Sequence, residues 1–172
     1  MKKTGMATGR KILLAVGVLL AAAVLFCLGY WLRYRQGVIQ PDSFTAPGAA
    51  RRVLVASQGS DYKQALVAKL AARLQQDSTS VQVIDVTALP TVNEAEYDAI
   101  VLVCSIEFYA APKDVAAFIA AASRPERIVL VTTSGQGDMG PQECRIDAIT
   151  GASRPADLDA KVAAIIARLP GA

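Results

Sequence analysis

The chain has 172 residues, 19% of them charged and 53% hydrophobic, with three cysteines, no histidine and a net charge of +3. That length suits one small domain plus an apolar segment. The absence of histidine excludes Ser/His and Cys/His catalysis and most zinc sites, so no catalytic or metal-binding side chains are expected, and any redox or group-transfer chemistry would belong to a cofactor.

Charge is unevenly distributed. The first 36 residues hold six Lys/Arg and no acid, leaving 12 basic against 15 acidic side chains in residues 37–172, a net of −3. This excludes a basic nucleic-acid surface. The basic N-terminal tail, 1–11, carries Lys2, Lys3, Arg10 and Lys11. Residues 12–32 follow without a charge, and 21 residues at 1.5 Å each reach roughly 32 Å, one hydrocarbon core. The stretch is too long for a signal-peptide core, and Phe26 before Cys27 is a poor lipoprotein signal. A retained single-span anchor in the lipid is expected, with an uncleaved signal peptide as the alternative. Tyr30, Trp31 and Tyr34 form an aromatic belt at its exit. Four basic residues before the span against Arg33 and Arg35 after it predict a cytoplasmic N-terminus, an inner-membrane location and an extracytoplasmic domain.

Residues 33–50, with Pro41, Pro47 and Gly48, read as a linker. From 51 to 172 strands alternate with helices. Strands are predicted at Arg52–Ala56, Val81–Val86, Ala99–Val103, Arg127–Thr133 and Arg145–Thr150. Leu66, Leu70 and Leu74 mark a helix from Tyr62 to Gln76, and Val115, Phe118 and Ile119 one from Pro112 to about Ala122. A last helix, predicted to start after Ser153 as N-cap, places Leu158, Val162, Ile165, Ile166 and Leu169 on its apolar face. Such alternation implies an α/β domain with a parallel sheet. The 11 residues from Ser134 to Cys144 leave little room for a helix.

The third strand is the most informative. Ala99–Val103 is apolar on both faces, and Ser105 to Ala110 then lie at its carboxyl end before Pro112. In open α/β sheets that rim is where ligands bind. Phe108 and Tyr109 would offer a ring face, with backbone groups at Ser105 and Ile106 for a polar edge; the alternative is that both rings pack. Cys104 reads either as a reactive thiol or as a small buried hydrophobe.

Three pieces, Val53 to Ser60, Tyr97 to Val101 with Tyr109 and Pro112, and Thr132-Thr133-Ser134-Gly135-Gln136-Gly137, resemble the flavodoxin-like family over roughly 51–170. More narrowly the chain resembles single-span, membrane-anchored bacterial members with a degenerate phosphate loop. The resemblance implies a three-layer flavodoxin-like sandwich with a five-stranded parallel sheet in the order 2-1-3-4-5, binding FMN at the switch point and serving electron transfer with a redox partner protein. Ser57, Gly59 and Ser60 would hold the phosphate, Ser105, Ile106, Phe108 and Tyr109 the ring, and Thr133, Ser134 and Gly135 the third edge. The family's Ser/Thr-x-Thr-Gly-Asn-Thr turn is replaced here by Ser57-Gln58-Gly59-Ser60-Asp61-Tyr62-Lys63. Asp61 would oppose a phosphate or cap the following helix, with Lys63 a possible offset. Asp147-Ala148-Ile149-Thr150-Gly151-Ala152-Ser153 resembles a signature for covalent FMN attachment, which would make Ser153 the carrier. The remaining alternative is a flavin-free binding module at the membrane.

Overall fold

The computed structural model describes residues 4–34, 37–46, 48–107, 109–135, 137, 140–141 and 144–171. The chain divides into two compact units, Met1–Gln36 and Gly37–Ala172.

Among its described residues the first unit is one helix, α1 (Thr4–Tyr34), free of proline. Its Gly9–Leu32 stretch has a mean hydropathy of 2.9, with none of it buried. Twenty-four residues rise about 36 Å, enough to cross a bilayer core. A signal sequence near the N-terminus shares that length and composition.

The second unit is an α/β fold built on a mostly parallel sheet. Its strands are β1 (Gly37–Val38), β2 (Asp42–Phe44), β3 (Arg51–Gly59), β4 (Thr79–Asp85), β5 (Ala99–Ser105), β6 (Ile128–Thr133) and β7 (Ala148–Gly151), and its helices α2 (Asp61–Gln76), α3 (Lys113–Ala121) and α4 (Leu158–Arg168). The order is β2-β4-β3-β5-β6-β7, with β1 on β3. β4, β3, β5, β6 and β7 run parallel to one another, whereas β1 is antiparallel to β3 and β2 to β4.

The expected five-stranded, all-parallel 2-1-3-4-5 sheet is thus corrected to seven strands of mixed direction among the described residues. Both additions come from the segment read as linker. β2 covers the otherwise open edge of β4, pairing Asp42 with Val83 and Phe44 with Val81, which satisfies N–H and C=O groups an edge strand leaves bare. Pro41 falls between β1 and β2, where its missing N–H costs no ladder bond.

Alternation sorts the side chains onto two faces. Val53, Val55, Val101, Val103, Val129, Val131 and Ile149 face α2 and α4, meeting Leu66, Leu70 and Ile165. Leu54, Ala56, Ile100, Leu102, Cys104, Ile128 and Leu130 face α3 through Val115 and Ile119. β5 is buried from Ala99 to Cys104, as a strand apolar on both sides requires. Pro112 is the N-cap of α3. Among the described residues between β6 and β7 none is helical.

Candidate functional site

The carboxyl ends of β3, β5, β6 and β7 form one rim. Register aligns Ser105 with Thr133 and Thr133 with Gly151, and alternation carries all three onto the α2/α4 face. One strand step earlier, Asp85, Ser57 and Val103 are level.

Lys63 dominates this row. Ser60 is the N-cap of α2, its Oγ accepting the Lys63 N–H at 3.3 Å, so Lys63 sits in the first turn. Its side chain nevertheless lies inside, the residue being 1% exposed. Nζ donates to Ser105 Oγ at 2.8 Å, and Ser105 Oγ is 3.2 Å from Thr133 Oγ1. The Ser105 N–H donates to Gln58 Oε1 at 2.7 Å. Burial lowers the ammonium's pKa to about 8, against the opposing influence of Cys104 and Glu107.

Lys161 repeats the arrangement on α4. It is buried in the first turn of its helix, and Nζ donates to the Thr150 carbonyl at 2.9 Å. A Cβ on Gly151 would stand 2.0 Å from Nζ, so glycine there admits the lysine rather than a turn. Burial lowers this pKa too, with Asp157 opposing. Tyr62, also at the start of α2, has a buried hydroxyl with no hydrogen-bond partner among the described residues, and its pKa is raised by burial and then by Asp157.

The expected phosphate loop is not a loop. β3 continues through Gly59, where Gly37 pairs with Gly59 and Val38 with Gln58. A Cβ on Gly59 would lie 2.6 Å from the Gly37 carbonyl carbon, so the β1 backbone rests directly on it. Asp85 anchors that segment, its Oδ2 accepting the Ile39 N–H at 2.9 Å. Ser57 is buried and its Oγ donates to the Gln58 carbonyl at 2.9 Å. Ser60 caps α2, whereas Asp61, the expected cap, is the first helical residue.

No protein-family model matches the chain, and no curated protein matches it significantly. The chemistry of the rim therefore rests on its own geometry.

Beyond β5, the Ile106 N–H donates to the Thr133 carbonyl at 2.9 Å and holds the two strand ends together. Glu107 and Ala110 exchange backbone hydrogen bonds of 3.1 and 3.0 Å. Phe108 lies outside the described residues. Tyr109 has φ 65° and is 56% exposed, so an aromatic side chain occupies left-handed backbone that favours glycine. The Ser134 N–H donates to the Gly151 carbonyl at 3.2 Å, its Oγ accepts the Gly137 N–H at 2.8 Å, and Gly135 is exposed. Of the sequence-predicted residues, Ser105 and Thr133 meet at the rim with Ile106 beside them, while Ser57 and Gly59 are absorbed into the sheet.

Ser153 is exposed and does not cap the last helix. α4 starts at Leu158, after a 3₁₀ turn at Pro155–Asp157. Proline restrains the preceding residue to extended backbone, and Arg154 has φ −103° and ψ 122°. Cys104 is fully buried and its thiol is pushed up to about 12, chiefly by burial, so the reading as a small buried hydrophobe fits it.

The two buried lysines are what residue-type reasoning undervalued. Lys63 lies on the stripe of Leu66 and Leu70, and Lys161 on that of Leu158 and Ile165. Helical spacing was the available signal.

Proposed function

We propose that the chain is a membrane-tethered, flavodoxin-like module that carries no flavin and docks a partner protein at the C-terminal rim of its sheet. In this reading α1 spans the membrane with its N-terminus cytoplasmic, and the domain works outside. The observation that carries it is the pairing of Gly37 with Gly59. The backbone that would wrap a phosphate is already hydrogen-bonded to β1, and the hydroxyls of Ser57 and Ser60 are committed internally. The rim instead offers Tyr109, ring outward, on backbone that costs about 1 kcal/mol or more. Aromatic anchors of this kind centre protein interfaces.

Titration of the purified chain with FMN, followed by flavin fluorescence, should give no saturable quenching. Stoichiometric binding would restore the electron-transfer reading, with Ser105, Thr133 and Ser134 around the flavin. A photo-crosslinking amino acid at position 109 should give one discrete adduct in native membranes, and at exposed Ala120 none. Equal labelling from both sites would sink the docking role.

A second reading has its own support. Ser153 is exposed, its hydroxyl has no hydrogen-bond partner among the described residues, and it ends the segment resembling an FMN-attachment signature. As a covalent flavin carrier the protein would be yellow after denaturation, with a mass gain of FMN less water that Ser153→Ala abolishes. Colourless protein of unmodified mass, isolated from cells that make flavin transferase, would exclude it.

A further inference from the structure

We propose that Ser105 and Lys63 form a nucleophile–base pair that hydrolyses small uncharged carboxylic esters at the C-terminal rim, a role that goes beyond partner docking and does not depend on it. A serine nucleophile needs a base within hydrogen-bond reach, and in a chain without histidine a lysine can serve. Lys63 Nζ stands 2.8 Å from Ser105 Oγ, inside the roughly 2.6–3.2 Å that proton transfer requires. Separate elements place the two groups: Ser105 ends β5, and the Ser60 cap fixes Lys63 in the first turn of α2. Their exposure differs as the chemistry needs. Lys63 is buried whereas Ser105 is half-buried at the strand end, so a substrate meets the hydroxyl while the amine works from the interior side. Thr133 Oγ1, 3.2 Å from Ser105 Oγ, positions the nucleophile and can donate to its oxygen as the proton leaves. Gln58 Oε1 accepts the Ser105 N–H at 2.7 Å, which holds that amide beside the nucleophile and leaves its Nε2 hydrogens as donors for the acyl oxygen.

Burial lets the amine act as a base. Cys104 of β5 and the exposed Glu107 beyond it both favour the ammonium, yet burial outweighs them and holds Lys63 at about 8. About a tenth of it is therefore neutral at pH 7. The neutral amine accepts the Ser105 hydroxyl proton as Oγ bonds to the ester carbonyl carbon. The tetrahedral adduct expels the alcohol oxygen, which takes the proton from the Lys63 ammonium. Water then attacks the acyl-serine by the same route, so ester and water become acid and alcohol and Ser105 recovers its proton. Charge sets the substrate class. Asp61 and Glu107, both exposed, stand at the start of α2 and just past the end of β5, which disfavours anionic esters.

The test uses the full chain in detergent micelles and two probes, a fluorophosphonate ester, from which serine displaces fluoride, and p-nitrophenyl acetate. Peptide mapping should find one phosphonyl group, on Ser105, with the exposed Ser153 unlabelled. The labelling rate should rise about tenfold per pH unit and level off above about 8, following the Lys63 amine. Lys63→Met, which removes the base and keeps the side-chain length, should slow labelling and p-nitrophenyl acetate hydrolysis by at least about 100-fold. Lys63→Arg, which keeps the charge but holds its proton, should be as slow, and circular dichroism should show both variants folded. An unlabelled Ser105 at pH 9, labelling as fast in folded Lys63→Met as in the parent, or hydrolysis no faster than in Ser105→Ala would overturn the proposal.

Discussion

Replacing Lys63 with methionine should stabilise the domain at neutral pH. The Lys63 side chain fills the apolar stripe above Leu66 and ends in an ammonium on Ser105 Oγ. Holding that ammonium at about 8 against 10.5 for an exposed lysine corresponds to about 3 kcal/mol of unfavourable burial. The residue is 1% exposed, so solvent screening removes little of this. Methionine keeps the unbranched length and drops the charge, and Ser105 Oγ keeps Thr133 Oγ1 as a partner. Urea denaturation of residues 37–172, followed by circular dichroism at pH 7, should show Lys63→Met more stable by about 2 to 3 kcal/mol.

The pH profile gives a second signature. Above about 8 the folded lysine is neutral while the unfolded one stays protonated to 10.5. The unfolded state then binds more protons, and stability rises with pH. Cys104 works the other way: its thiol is raised from 9.0 to about 12, so the unfolded chain loses that proton first and stability falls from pH 9 upward. The net rise is therefore confined to pH 8 to 9 and amounts to about 1.4 kcal/mol, with Lys161 acting in the same direction. Lys63→Met should lose most of that rise, and Cys104→Ala should let it continue beyond 9. A Lys63→Met protein less stable than its parent at pH 7, with an unchanged slope, would refute the reasoning and make the ammonium a required partner of the rim.

Gly59→Val should release β1, because a Cβ has only 2.6 Å to the Gly37 carbonyl carbon; about 1–3 kcal/mol of stability should be lost, with faster proteolysis within 37–46. Asp85→Ala removes the acceptor of Ile39 N–H, Thr87 N–H and Thr87 Oγ1, at 2.9, 3.0 and 2.8 Å. The loss should reach about 2–3 kcal/mol, and hydrogen exchange should locate it in β1 and the turn after β4. Tyr62→Phe deletes a buried hydroxyl with no hydrogen-bond partner among the described residues; denaturation should show the variant equal to the parent or up to about 1 kcal/mol more stable.

How much of this was readable follows from the range of the interactions involved. Ala99–Val103 announces a doubly covered strand by its own composition, and Leu66, Leu70 and Leu74 announce the buried side of α2. β1 and β2 are two and three residues long, too short for any periodicity to appear. They are strands only because the end of β3 and the edge of β4 offer unpaired backbone. That long-range pairing also decided the site. Ser57-Gln58-Gly59-Ser60 has the composition of a turn, and local preference alone would end the strand at Ala56. Pairing with Gly37 and Val38 extends it to Gly59 instead, an instance of tertiary context overriding propensity. The start of α4 is the opposite case, since Ser153-Arg154-Pro155 already contained the reason a helix cannot begin at Ser153. Lys63 combines both: its position on the leucine stripe was local information, but the hydroxyl that receives it lies on another strand. A polar residue on an apolar stripe thus marks where the sheet must supply a partner. Ser105 and Thr133 are the residues that do so at this rim.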